Sequence, residues 1–147
     1  MEKKYIFSFA ITILLSIIIY SSQSSINLAY SASGSKDLFI KNCSKCHRKD
    51  GTGIKGVYPP LKNSDYIPKN TTSELLRGML FGRSGRLTIN GSTYNGVMTT
   101  EIDASLSDDD IASILNYVYK ELNSIDRIAT VKDVKAARTA GKLPVHK

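Results

Sequence analysis

Cys43-Ser44-Lys45-Cys46-His47 decides the reading of this chain. Two cysteines separated by two residues and followed at once by a histidine form the attachment signature of a c-type haem. The two thiols can add across the two vinyl groups of one porphyrin while the imidazole reaches its iron. These are the only two cysteines in 147 residues, so thioethers at both leave no thiol for a disulfide or a zinc site. The other readings of a bare C-x-x-C ask for more than the chain supplies. A thioredoxin-like pair expects a βαβ setting, and zinc expects further Cys or His ligands. The only other histidine is His146, the penultimate residue.

Upstream of the motif, Lys3 and Lys4 precede an apolar run from Tyr5 to Tyr20, followed by a Ser-rich stretch that contains Ala29-Tyr30-Ser31. A basic start, an apolar centre and a small-x-small site describe an export signal, cut near Ser31. The competing reading is an uncleaved membrane anchor. The 16-residue run reaches about 24 Å, slightly short of the usual span of about 20 residues, which favours cleavage. No cysteine follows the run to accept a lipid. Export suits covalent haem, which is attached outside the cytoplasm and places the protein in a periplasm or on the outer face of the cytoplasmic membrane.

The expected organisation is a signal over residues 1–31 and one domain over 32–147, with a core at about 35–122 and a short helical tail. About 116 residues suffice for one domain and not two. The net charge of +7 falls to +6 because Glu2, Lys3 and Lys4 leave together. Its distribution is uneven. Residues 36–69 hold eight basic side chains (Lys36, Lys41, Lys45, Arg48, Lys49, Lys55, Lys62, Lys69) against Asp37, Asp50 and Asp65, whereas residues 101–147 hold seven basic and eight acidic. Positive charge concentrated about the haem motif suits redox protein partners with an acidic docking surface. An exported chain without a reading motif has no use for nucleic acid, and contact with a membrane is expected only through an uncleaved N-terminal segment or a membrane-bound partner.

Periodicity predicts short helices joined by irregular segments. Residues 35–46 place Leu38, Phe39 and Ile40 on a helix running into the cysteines. From Arg48 to Asn70, Gly51, Gly53, Gly56, Pro59, Pro60 and Pro68 predict loop throughout. Thr71-Thr72-Ser73-Glu74 has capping-box spacing and opens a helix through Leu75, Leu76, Met79 and Leu80 that Gly82 can end. Asn90-Gly91 between Leu87-Thr88-Ile89 and Ser92-Thr93-Tyr94 predicts a small hairpin, with irregular chain from Asn95 to Met98. Ser107, ahead of Asp108, Asp109 and Asp110, caps a helix whose apolar face is Ile111, Ile114, Leu115, Val118 and Leu122, expected to pack on the first helix. Thr130 and Asp133 cap a last short helix over Val131 to Arg138, ended near Gly141.

The order and spacing of these pieces resemble class I cytochrome c from about Ser35 to Tyr119. The residues that carry the resemblance are the haem box, Asp50-Gly51-Thr52-Gly53, Tyr58-Pro59-Pro60-Leu61, Thr93-Tyr94-Asn95-Gly96-Val97-Met98 and Leu106-Ser107-Asp108. The hairpin before the methionine and the helical tail look most like small single-haem cytochromes, and cytochrome domains, that accompany extracytoplasmic dehydrogenases, copper nitrite reductases or haem-copper oxidases. The resemblance implies an all-α fold of short helices around one covalent haem c, with a small hairpin before the methionine ligand loop.

It also implies roles. His47 would be the proximal iron ligand, its other ring nitrogen held by the carbonyl of Pro59, and Leu61 would pack on the haem. Phe39 and Tyr117 would meet where the first and last core helices cross. Met98 would be the sixth ligand, since Met79 sits on an apolar helical stripe as core filler. The family very often has proline after this methionine, and Thr99 stands there instead. Histidine and methionine together saturate the iron and raise its potential, so the implied function is one-electron transfer in a respiratory or dehydrogenase chain, without catalysis. The alternatives are a haem subunit with an open or displaceable sixth site, acting in an oxidoreductase or as a peroxidase, and a thiol-disulfide oxidoreductase using Cys43 and Cys46.

Overall fold

The structure, a computed structural model, describes residues 34–100 and 102–145. The expected export signal over residues 1–31, its Ala29-Tyr30-Ser31 site and His146 lie outside the described residues. Within them the regular elements are α1 (residues 34–47), α2 (Tyr66–Lys69), α3 (Thr72–Phe81), β1 (Arg83–Ile89), β2 (Ser92–Met98), α4 (Asp108–Asn123) and α5 (Val131–Ala140). No described helix is long and apolar enough to cross a membrane.

Three helices start where the sequence places a reciprocal cap. Thr71 accepts from the Glu74 amide while Glu74 accepts from the Thr71 amide, and Ser107 with Asp110 and Thr130 with Asp133 repeat the device at α4 and α5. Each box satisfies donors that the first turn would otherwise leave bare. The apolar faces then meet in one core built from Phe39, Leu75, Leu76, Ile111, Ile114, Leu115, Val118, Tyr119, Leu122 and Val134. Phe39 and Tyr117 touch with ring centroids 5.1 Å apart, which fixes the crossing of α1 and α4. α5 packs across α3 and α4, and Arg77 of α3 pins its end by donating to the carbonyls of Gly141 and Lys142.

Two expectations need correction. Residues 48–70 are not all loop: Tyr66–Lys69 form one helical turn that includes Pro68. Proline fits because a first turn has no acceptor for its missing N–H. Nor is the chain irregular from Asn95 to Met98. β1 and β2 pair antiparallel from Arg83↔Met98 to Ile89↔Ser92, around an Asn90-Gly91 turn with positive φ at both residues. The glycines at 85 and 96 face each other on one rung, and the ladder runs through them. Met98 is thus the last residue of a strand rather than part of a loop.

Candidate functional site

α1 delivers Cys43, Cys46 and His47 to one side of a cleft whose other lining residues include Pro59, Leu61, Ile67, Leu75, Met79, Leu87, Met98, Ile102, Leu115 and Val118. About 1070 Å³ inside it is free of protein atoms, open solvent at the mouth included, the order of size that holds a ligand of several hundred cubic ångströms. All six residues singled out in the sequence line it: Cys43, Cys46, His47, Pro59, Leu61 and Met98.

His47 is 5 % exposed, and its Nδ1 lies 2.8 Å from the Pro59 carbonyl oxygen. A carbonyl can only accept, so Nδ1 carries the proton and Nε2 keeps the lone pair that a metal takes. Burial lowers the His47 pKa against the opposing pull of that carbonyl, which keeps the ring in its neutral, ligating form. Cys43 and Cys46 are not joined to each other. Burial, with the Cys46 charge second, pushes the Cys43 thiol up to about 12. Both cysteines also sit in the last turn of α1, the negative end of its dipole. A redox thiol needs the reverse, a lowered pKa at a helix N-terminus, so the geometry disfavours thiol-disulfide exchange.

The segment that carries Pro59 and Leu61 is tied at several points. The Gly53 amide donates to the His47 carbonyl, the Gly51 carbonyl accepts from the amides of Leu61 and Lys62, and Asn123 of α4 donates to the Leu61 carbonyl. The sequence marked Gly53 as a loop breaker and as part of the Asp50-Gly51-Thr52-Gly53 motif, without a partner for it. In the fold its φ is +65°, and a side chain there would run into the carbonyls of Tyr58 and Pro59. Gly53 therefore permits the close approach that brings the Pro59 oxygen to His47. Gly82, at φ +74°, does the same for Met98: a Cβ would strike the Met98 carbonyl. Thr100 adds a bond from its hydroxyl to the Met79 carbonyl. The glycines were visible in sequence, but their partners lie too far along the chain to be read there.

The donor set fits a covalent haem. Two thiols one turn apart, a neutral imidazole beside them and a thioether from β2 face an otherwise mainly apolar space. No cluster of three or more His, Cys, Asp or Glu that could hold a bare metal ion occurs among the described residues.

Comparison with known proteins agrees. A family model described as Cytochrome c matches residues 32–120. Cytochrome c-552 of Thermus thermophilus is 31% identical over 110 residues, covering 69% of this chain and 82% of the relative. The cytochrome c subunit of a quinone alcohol dehydrogenase from Gluconobacter oxydans is 27% identical over 71% of this chain, though over only 22% of that longer protein. A fructose dehydrogenase cytochrome subunit of Gluconobacter japonicus is 28% identical with the same coverage. The chain accordingly belongs to the cytochrome c family, and is an electron-transfer protein with a covalently attached haem c rather than an enzyme.

Proposed function

We propose that Cys43 and Cys46 carry the haem thioethers, that His47 and Met98 ligate its iron, and that the protein passes single electrons between redox partners outside the cytoplasm. The observation that carries this reading is the convergence of all four side chains on one apolar cleft. The haem supplies the one-electron couple. Pro59 would orient the imidazole, Leu61 would pack on the porphyrin, and a thioether ligand together with histidine would favour the reduced state and leave substrate no coordination position. An absorption spectrum of the exported protein tests the assignment. Haem bands that survive acid–acetone extraction and a methionine–iron charge-transfer band are expected. Extractable haem overturns the thioethers, and ready binding of cyanide by the wild type overturns Met98.

The sequence of residues 1–31 supports export with cleavage near Ser31, which the mass of the mature protein checks directly. An intact N-terminus on membrane-bound protein would instead make the segment an anchor. The relatives named as dehydrogenase cytochrome subunits support an electron donor of dehydrogenase type in a respiratory chain.

For the partner's surface, the loop after His47 is informative. It exposes Ile54, Val57 and Tyr58 among the exposed Lys49, Lys55 and Lys62. An apolar centre with a basic rim suits a partner that presents acidic groups around an apolar contact. Electron transfer should slow as salt rises, because charges beyond about 8 Å are screened at physiological ionic strength. Lys49→Glu with Lys55→Glu should slow association more than the same reversals at Lys135 and Lys142; equal effects would remove this docking face.

A further inference from the structure

We propose that α5 is a brace that fixes the spacing of α3 from α4 across the cleft, and that Arg77 is the positioning residue through which it keeps Met98 at the iron. The inference rests on the reading of Met98 as a haem ligand and adds what holds that ligand in place. α5 lies beyond residues 32–120, where the family model ends, so membership of the family assigns it no role.

Different helices carry different parts of the cleft wall: Leu75, Gly78 and Met79 belong to α3, and Ile114, Leu115 and Val118 to α4. Among the described residues these two helices meet each other only sparsely, and each packs instead on α5. A direct hydrogen bond between them lies at the first residue of α3, where the Tyr119 hydroxyl donates to Thr72 Oγ1 at 3.1 Å. That bond restrains the start of α3 and not its end. The end is what meets Met98: Gly82 approaches the Met98 carbonyl, and Thr100 donates to the Met79 carbonyl. A shift of this end against α4 would therefore carry Met98 with it.

α5 has the attachments a brace needs. The segment that enters it is bonded reciprocally to α4, with the Ala129 amide donating to Asn116 and Asn116 donating to the Ala129 carbonyl. Near its far end Arg138 pairs at 2.9 Å with Asp108, the first residue of α4. Between these points Val134 and Ala137 are fully buried. A helix fixed to α4 at both ends then presents two carbonyls to α3: Arg77 donates from Nε to Gly141 at 2.6 Å and from Nη2 to Lys142 at 2.7 Å. Backbone acceptors at a helix C-terminus lack helical partners, and a guanidinium can fill two at once because its donors fork from one rigid plane. Arg77 stands about one turn before the end of α3, so it restrains the half of the helix that Tyr119 does not.

Cyanide-binding kinetics and absorption spectra of the mature haem protein test the brace. Arg77→Gln removes the fork and keeps much of the side chain's bulk. It should speed cyanide binding about tenfold, the change that one or two lost hydrogen bonds produce. On heating, its methionine–iron band should vanish further below global unfolding, followed by circular dichroism, than the wild-type band does. Thr100→Val cuts the same connection nearer Met98 and should give both changes. The double variant should add little to either, since the two bonds act in series, whereas fully additive effects place them on separate routes and overturn the brace. Ile111→Val, a packing change in α4 outside the cleft lining, should lower global stability and leave cyanide binding as it is. With the band present in the wild type, an Arg77→Gln protein that matches the wild type in cyanide rate and band, or that differs from it no more than Ile111→Val does, overturns the brace alone. A wild type without the band overturns the Met98 assignment, and this inference falls with it.

Discussion

His47 and Met98 reach the same cleft under different conditions. His47 ends a helix, is 5 % exposed and has its ring nitrogen fixed by Pro59. Met98 ends a strand, is 41% exposed, and follows Val97 at 72%. Around His47 the backbone bonds run to its own carbonyl, to Gly51 and to α4. Around Met98 the ties are the ladder, the close approach of Gly82 and the bond from Thr100. The histidine side is fixed through many redundant contacts, and the methionine side through few. The methionine side can therefore be altered with less disturbance of the rest of the fold than the histidine side.

The most severe way to break the comparison is to remove the anchor of the histidine side. Replacing both Cys43 and Cys46 by alanine should abolish covalent haem and leave a poorly folded chain, since the core surrounds the cleft. A cooperative thermal transition in haem-free double variant would contradict this. Next comes Gly53→Ala. A non-glycine residue at positive φ costs about 1–2 kcal/mol, and the collision with the Tyr58 and Pro59 carbonyls adds to it. Denaturant titration should show a loss of at least about 2 kcal/mol, with the haem still attached.

Met98→Ala probes the other side. It should abolish the methionine–iron band, lower the potential and admit cyanide, while the fold survives. Met79→Ala should do the opposite, keeping the band and costing about 2 kcal/mol in packing, at the low end for a partly buried methionine. If Met79 alone controls the spectrum, the two methionines exchange roles and the comparison collapses.

The smallest effect concerns the tie between the two sides. Asp103 accepts from the amide and hydroxyl of Ser105 and from Lys41, and its amide donates to Asn42 of α1. The Ser105 bonds first, then Lys41, hold its carboxyl at about 2, below the ordinary 3.8. A carboxyl with a lowered folded pKa stabilises the fold above about 3.8 and loses that contribution as pH falls through about 2. Asp103→Asn should therefore lower stability at neutral pH and converge on the wild type as pH falls through about 2, which flattens the acid limb of the profile.

What the sequence disclosed follows the range of the interactions involved. Caps such as Thr71-Glu74 and turns such as Asn90-Gly91 act over three or four residues, so their chemistry is legible in order along the chain, and both form. The haem box is legible because all its chemistry lies within five residues. Met98 was recognisable as a residue but not in its setting, because the rung it shares with Arg83 depends on where the ladder stops. The place of Ser64 and Tyr66 in the cleft wall carried no signal, because it depends on bonds from Asn123 to the Ser64 amide and from Asn90 to the Asp65 amide, partners distant in sequence.

The hairpin that carries Met98 is fastened at both ends, its tip by Asn90 to the segment at 63–65 and its base by Gly82 and Thr100 to the end of α3. A ribbon so held cannot swing as an arm. Reorientation of the free Met98 side chain is then confined to rotation of one half-exposed side chain, an event of picoseconds to nanoseconds rather than the microseconds and longer of local unfolding. The surface around the cleft keeps its contour whichever way that side chain points. A docking partner therefore meets the same relief before and after the electron has moved, so neither arrival nor release has to wait for the backbone.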